Sequence, residues 1–160
     1  MLFTLTFSLG SAATPAWAGS GVTNASSGLC LEINGESMSN GALATQWGCN
    51  GGAHQYWDLD IAGAYGNWRL INKKSGKCLE IADWRRDDGA PARQWDCTKG
   101  ENQVWYAIDY DGDGTAAKAL VNVHSGKCLE ISGWSGGWGV GASQYSCNKG
   151  ANQLWGGVPR

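Results

Sequence analysis

Asn72-Lys73-Lys74-Ser75-Gly76-Lys77-Cys78-Leu79-Glu80-Ile81 is the stretch that decides the fold, because the chain writes its frame three times. Asn-x-x-Ser-Gly-x-Cys-Leu-Glu-Ile returns at Asn24–Ile33 and Asn122–Ile131. Extended outward, Asn24–Trp57, Asn72–Trp105 and Asn122–Trp155 align without a gap over 34 residues, and fourteen positions are identical in all three. Beyond the opening frame these are a Gly, an Ala, a Gln and a second Cys, then Gly-x-x-Gln-x-Trp. The copies begin 48 and 50 residues apart, a period at which each repeat is one supersecondary unit that buries its apolar face only against its neighbours.

Within a copy, Ser-Gly-x-Cys-Leu-Glu-Ile reads as a turn entering a strand. Alternation puts Leu79 and Ile81 on one face and turns Glu80 away from the core. A loop follows, then a short strand through Trp95 to Cys97, a tight turn, and a strand from Gln103 through Trp105 to Ile108. Trp68–Ile71 and Lys118–Val121 supply a fourth strand leading into the next copy. Four strands in each of three copies give about twelve, which predicts a barrel-like all-β body with pseudo-threefold symmetry. Before Asn24 only Val22 offers a strand-like apolar residue and after Trp155 come Gly156-Gly157-Val158-Pro159-Arg160, so either the seam between first and last strands is short or the chain is cut from a longer product.

Composition agrees with this reading. In 160 residues, 25 Gly and 10 Trp with only 16% charged side chains suit short strands and tight turns, and no stretch shows a helical period of helix length. A chain of this size buries roughly 68% of the surface it would expose unfolded, enough for one core. The net charge of -2, scattered along the chain, offers no field to draw in a polyanion, which argues against nucleic acid as a ligand.

Residues 2–16 are apolar or small and lead to Ala16-Trp17-Ala18, an Ala-x-Ala cleavage pattern. Residues 1–18 therefore read as a secretory signal peptide, shortened at its positive end and too short to span a bilayer. Residues 19–160 read as one extracellular domain with repeats at about 22–69, 70–119 and 120–158. Six cysteines stand in register as Cys30 and Cys49, Cys78 and Cys97, Cys128 and Cys147. Six cysteines allow 15 pairings, but repeat symmetry favours one bridge inside each copy, and the clustered spacing of a metal site is absent. An oxidising compartment is the consistent setting.

The three Gln-x-Trp motifs, Gln55-Tyr56-Trp57, Gln103-Val104-Trp105 and Gln153-Leu154-Trp155, recur in register with the paired cysteines. In this the chain resembles the ricin B-type lectins, the β-trefoil family also classed as carbohydrate-binding module family 13, over Asn24–Trp155. The resemblance implies a β-trefoil, no cofactor or metal, and up to one shallow sugar site per copy on a monomer. Carried over position by position, the sugar-binding carboxylate is Glu32, Glu80 and Glu130, where the family more usually has Asp. The stacking aromatic is Trp47, Trp95 and Tyr145. The amide that meets a sugar hydroxyl is Asn102 and Asn152, with His54 in the first copy, and Gln55, Gln103 and Gln153 steady the carboxylate.

The chemistry supports such a site independently. A sugar has an apolar C–H face and a rim of hydroxyls, so an aromatic platform beside a carboxylate serves both. Glu adds a methylene relative to Asp, and with it rotamer freedom to be lost on binding, so a preference for galactose-like sugars is not assumed. Trp84 and Trp134, six residues after the first Cys of the second and third copies, are candidates for a second aromatic wall. The first copy has Glu36 there and lacks the Asn, so copies two and three are expected to be the stronger sites. Trp138 has no counterpart. Trp57, Trp105 and Trp155 read instead as core pillars.

Two other classes compete. The charged loop Arg85-Arg86-Asp87-Asp88 would suit a protein-binding β-trefoil such as a protease inhibitor. A glycoside hydrolase needs two carboxylates about 5 to 9.5 Å apart, and Asp83 near Glu80 occurs in one copy only, so a non-catalytic module, alone or accompanying a hydrolase, is the expectation. Asp109-Tyr110-Asp111-Gly112-Asp113-Gly114 matches half a calcium loop, but Leu120 occupies the twelfth position. A hairpin turn is expected there.

Overall fold

A computed structural model describes residues 21–64, 66–112, 114 and 117–158. The leader and its cleavage pattern lie outside the described residues. The chain forms twelve short strands, four per copy: β1 Thr23–Asn24, β2 Cys30–Ile33, β3 Ala44–Trp47, β4 Trp57–Ile61, β5 Asn67–Asn72, β6 Cys78–Ile81, β7 Ala92–Trp95, β8 Trp105–Ile108, β9 Lys118–Asn122, β10 Cys128–Ile131, β11 Ala142–Tyr145 and β12 Leu154–Gly156. Every pairing is antiparallel. No described helix is long and apolar enough to cross a membrane.

Six strands make a barrel in the order β1, β12, β9, β8, β5, β4. Its seam is short among the described residues: Thr23 faces Gly156, Asn24 faces Trp155, and a single bridge from Gly21 to Tyr56 joins the other side. The remaining strands form three hairpins, β2-β3, β6-β7 and β10-β11, each with four matched pairs. Isolated bridges Leu43 to Arg93, Thr45 to Gly141 and Pro91 to Ser143 tie the hairpins to one another. This is a β-trefoil.

The repeat frame explains the core. Leu31, Leu79 and Leu129 with Ile33, Ile81 and Ile131 are fully buried and form one cluster with Trp57, Trp105 and Trp155. Each of these tryptophans donates its indole N–H to the carbonyl of the repeat leucine, at 3.0, 3.1 and 2.9 Å, satisfying the single polar atom of a large buried ring. Cys30–Cys49, Cys78–Cys97 and Cys128–Cys147 are bonded, one bridge per copy, as the symmetry predicted.

The strand expected to start at Gln103 starts later. Glu101–Gln103 is a 3₁₀ turn and β8 begins at Trp105. The Gln103 side chain donates to the Asp96 carbonyl and accepts from the Thr98 N–H, so the backbone curls around its own amide before extending.

The invariant Gln of the middle of the repeat joins the copies. Gln94 of β7 donates two bonds, each of 2.9 Å, to the carbonyls of Ser37 and Ser39 in the first copy, and accepts from Ser75 of its own. Gln144 holds the carbonyls of Arg85 and Asp87, and Gln46 those of Ser135 and Gly137, closing the circle. All three amides are completely buried. Replacing Gln94 by Leu strands two carbonyls and a serine hydroxyl, each unmet group costing about 1–3 kcal/mol. Denaturant unfolding of Gln94→Leu is expected to show a loss of about 2–4 kcal/mol with the disulfides intact; an unchanged midpoint would refute the clamp.

Candidate functional site

Each glutamate of the repeat sits mid-strand opposite the core residues and is nonetheless buried, 4%, 4% and 7% exposed at Glu32, Glu80 and Glu130. A strand residue in open solvent is thereby excluded. What encloses each carboxylate is its own copy's Gly-x-x-Gln-x-Trp segment. Gln55, Gln103 and Gln153 each donate to an Oε2, at 3.1, 3.0 and 3.3 Å, and their carbonyl oxygens take the backbone N–H of Asn50, Thr98 and Asn148. The Gln is thus locked by its backbone before it reaches the carboxylate.

The amide one residue earlier is partly committed to the protein. Asn102 spends its N–H groups internally, on Glu80 Oε2 and the Ile81 carbonyl, both 3.2 Å, and Asn152 does the same with Glu130 and Ile131. What the pair leaves for a ligand is the side-chain oxygen. Asn152 Oδ1 is buried without a partner among the described residues. In the first copy His54 Nε2 lies 3.3 Å from Glu32.

The platforms surround these carboxylates. Of nine exposed large apolar side chains among the described residues, six are Trp47, Trp84, Trp95, Trp134, Trp138 and Tyr145. Trp47, Trp95 and Tyr145 end β3, β7 and β11 directly across from the cysteine that begins the glutamate strand. Trp84 and Trp134 stand on the opposite lip, in the turn after that strand. There two consecutive residues adopt left-handed backbone: Gly35 and Glu36, Asp83 and Trp84, Gly133 and Trp134. A non-glycine residue pays roughly 1–2 kcal/mol for this, a cost that persists only where the surroundings over-determine it.

The invariant glycine of Gly-x-x-Gln-x-Trp is explained here. A Cβ on Gly100 would come within 2.7 Å of the Trp84 ring, and one on Gly150 within 2.6 Å of the Trp134 ring. The lip tryptophan rings therefore take up the space that a side chain at these glycines would need. At Gly52 the His54 imidazole occupies that space, at 2.4 Å. His124 of the third copy packs edge-on against Trp84, centroids 4.9 Å apart, and its Nε2 donates to the Trp84 carbonyl at 3.0 Å.

The three carboxylates then differ in charge environment. Glu80 accepts from Arg93 at 2.9 Å; the same guanidinium reaches Asp83 at 3.1 Å and lies 4.6 Å over the Trp95 ring. A pocket of about 200 Å³ runs between Trp84, Trp95, Asp83 and Asn102. Glu32 faces His54, and beyond it Glu36, which Lys74 holds below the ordinary glutamate range through a hydrogen bond and its charge. That site is a pocket of about 230 Å³ including Asn34, Asn50 and Trp47. Trp138 of the third copy lies beyond this pocket against Trp47, 5.2 Å between ring centroids. The place of Arg93 is taken by Thr45 in the first copy and Ser143 in the third. Among the described residues Glu130 thus has no cation beside it, and burial pushes its carboxyl above the ordinary range, assisted by Asp88 and opposed by Gln153 and Asn152.

Two further readings of the chain take structural form. The Arg85–Asp88 loop is the segment that Gln144 grips, with Arg85 paired to Asp87, and Asp88 bonded to Lys127 and Ser146. Asp109 spends its carboxylate on the backbone N–H groups of Asp111, Gly112 and Gly114, as a turn residue does. Among the described residues no group of three His, Cys, Asp or Glu could hold a metal ion.

Comparison with known proteins agrees with the architecture. The family model for the ricin-type beta-trefoil lectin domain matches residues 19–155. Among solved structures, a designed threefold-symmetric protein, ThreeFoil, is 35% identical with a TM-score of 0.79, covering 84% of this chain and 94% of its own. The exo-beta-1,3-galactanase 1,3Gal43A of Clostridium thermocellum is 33% identical with a TM-score of 0.79, over 84% of this chain and 28% of the galactanase. The ricin B-like lectin of Macrolepiota procera, solved with lactose, is 20% identical with a TM-score of 0.72, over 86% of this chain and 94% of that one, and shares the fold. Comparison with curated proteins yields no match.

Because Glu130 is harder to ionise folded than unfolded, it lowers stability as pH rises through the ordinary glutamate range toward the raised folded value. Glu130→Gln is therefore expected to match or exceed the parent's melting temperature at pH 7, with the advantage gone at pH 4. Glu80→Gln, which strips Arg93 of its carboxylate, is expected to melt lower at pH 7. The opposite order in thermal unfolding would contradict these environments.

Trp134→Gly is a second check. It relieves a left-handed residue, so stability is expected to hold or rise by up to about 1 kcal/mol; a large loss would make Trp134 a structural residue rather than an exposed lip. With a carbohydrate-binding fold, its repeat frame and its enclosed carboxylates all in place, the chain belongs to the ricin-type beta-trefoil lectin family.

Proposed function

We propose that this chain is a secreted, non-catalytic lectin that holds neutral glycans at up to three shallow sites, Glu32, Glu80 and Glu130 each accepting sugar hydroxyls beside an aromatic platform. The observation that carries this reading is the concentration of exposed rings around buried carboxylates. Exposed tryptophans without a partner are costly to solubility, and a carboxylate that is pre-oriented by Gln and Asn is an acceptor already paid for in entropy.

The sites are unequal. In the first, Trp47 faces Glu32, Gln55 and His54. In the second, Trp84, Trp95, Asn102 and Gln103 surround a carboxylate neutralised by Arg93. In the third, Asn152 and Gln153 bond a carboxylate that has no cation beside it among the described residues, and Tyr145 and Trp134 hold the positions of Trp95 and Trp84. A monosaccharide of about 12 heavy atoms at about -0.3 kcal/mol per atom binds near millimolar. Retention on a polymer or cell surface then comes from several sites engaging one glycan.

Hydrolysis is disfavoured by the same geometry. The glutamates belong to separate copies; Asp83 is bound with Glu80 to the same guanidinium, and Glu36, across His54 from Glu32, is paired with Lys74, so neither second carboxylate is free to exchange protons across a glycosidic bond. The likeness to part of a galactanase supports the domain's working beside such an enzyme, and makes β-1,3-galactan the first polysaccharide to try.

A glycan array with affinity electrophoresis in soluble polysaccharide tests the proposal. Retention is expected to fall stepwise as Glu32, Glu80 and Glu130 are replaced by Gln in turn, the triple variant migrating unretarded. Binding to no glycan, or full retention of a folded triple variant, would sink the proposal.

A further inference from the structure

The position of Trp138 in the repeat is held by Asn40 in the first copy and Asp88 in the second. Each of those makes a polar contact to the copy that follows. Asn40 exchanges two 2.9 Å hydrogen bonds with Asp96, and Asp88 accepts from the N–H and hydroxyl of Ser146 at 2.8 and 3.0 Å. The residue facing Trp138 at the equivalent place is Gly48. A Cβ there would lie 2.8 Å from the Trp138 ring, so the indole rests directly on the glycine backbone. Its centroid is 5.2 Å from that of Trp47, with the ring planes 53° apart.

The polar latch of the other two junctions is thus exchanged, on both sides at once, for a large ring and the glycine that seats it. A plug would be expected to hide such a ring, yet Trp138 is 62% exposed, the highest value among the exposed large apolar side chains of the described residues. It does not line the Glu32 pocket, whose wall ends at Trp47. It prolongs the aromatic surface past that wall.

Taking the sugar-binding reading as the ground it stands on, we infer that the first site is a composite one built by two copies, in which Trp138 receives the sugar unit next to that held by Glu32 and Trp47. Successive rings of an extended glycan advance by a distance comparable to the separation of the two indoles. The tilt between the indole planes suits a chain whose neighbouring ring faces turn relative to one another, rather than a flat ribbon. The first copy, with no lip tryptophan of its own, therefore reads a disaccharide or longer segment, while the lip tryptophans of the other copies flank a single pocket.

Titration calorimetry of the Glu80→Gln, Glu130→Gln protein with galactose, β-1,3-galactobiose and β-1,3-galactotriose isolates this site. Affinity is expected to rise about tenfold from galactose to the disaccharide. Trp138→Ala should abolish that gain while leaving galactose binding within about twofold. Gly48→Ser, which keeps the tryptophan but puts at position 48 the residue type that the third copy has at Ser146, where the indole rests, should reduce the gain as well. Should the double variant not fold, the same comparison on the parent, read through fluorescence of Trp138→Ala against parent, carries the test. Equal affinities for one and two units, or a gain that survives Trp138→Ala, overturns the composite site and leaves the lectin reading standing. Absence of binding at any of the three sites on a full glycan array overturns both.

Discussion

Three buried amides, Gln46, Gln94 and Gln144, are the constraint on which the rest of the structure depends. A hairpin of four pairs has too little core of its own to be stable in water. Each hairpin here is completed by its neighbour, because its Gln side chain takes two carbonyls of the preceding copy's loop. The backbone repeats the connection: Gln94, Gln144 and Gln46 each accept from the glycine N–H of that loop, at 2.8, 2.8 and 2.7 Å. Since the carbonyls are those of the segment running from the lip turn toward the next copy's platform, the same bonds that hold the trefoil together also position the walls of its sites.

From that follows a division of labour within the repeat. The fourteen shared residues are accounted for by structure: Asn24, Asn72 and Asn122 close a turn and donate back to the preceding copy, Gly28, Gly76 and Gly126 take left-handed backbone, and the Leu, Ile, Ala and Trp fill the core. Even the shared Glu and Gln form a buried pair. What varies is the charge around that pair and the rings above it. Arg93, Thr45 and Ser143 occupy one strand position and give three different electrostatic surroundings; Glu36, Trp84 and Trp134 occupy one lip position and give three different walls.

The fold was legible because its signals are local or periodic. Alternation within Cys-Leu-Glu-Ile, the register of the cysteines and the repeated Gln-x-Trp all lie inside one copy, and symmetry supplied the rest. The carboxylates, their Gln partners and the platform aromatics were legible for the same reason. Features made between copies were not. Trp138 has no sequence neighbour that announces Trp47, 91 positions away, and Arg93 gives no sign that it will fold over Trp95 and Glu80 at once. The use of the Asn102 N–H groups on the protein itself was also hidden, since whether an amide faces ligand or backbone depends on an ångström of placement. Within its own stretch the first copy shows only what it lacks, and the ring beside its Trp47 comes from the third.

The central claim is that one buried scaffold carries three unequal exposed sites. The most direct measurement is the set of indole N–H resonances followed by NMR while β-1,3-galactotriose is added. The account predicts that Trp57, Trp105 and Trp155, whose indole N–H groups are bonded to buried carbonyls, stay still, while Trp47 and Trp138 shift together and apart in concentration from Trp84, Trp95 and Trp134. Uniform shifts with a single midpoint across all exposed tryptophans, or movement of the buried three, would contradict it.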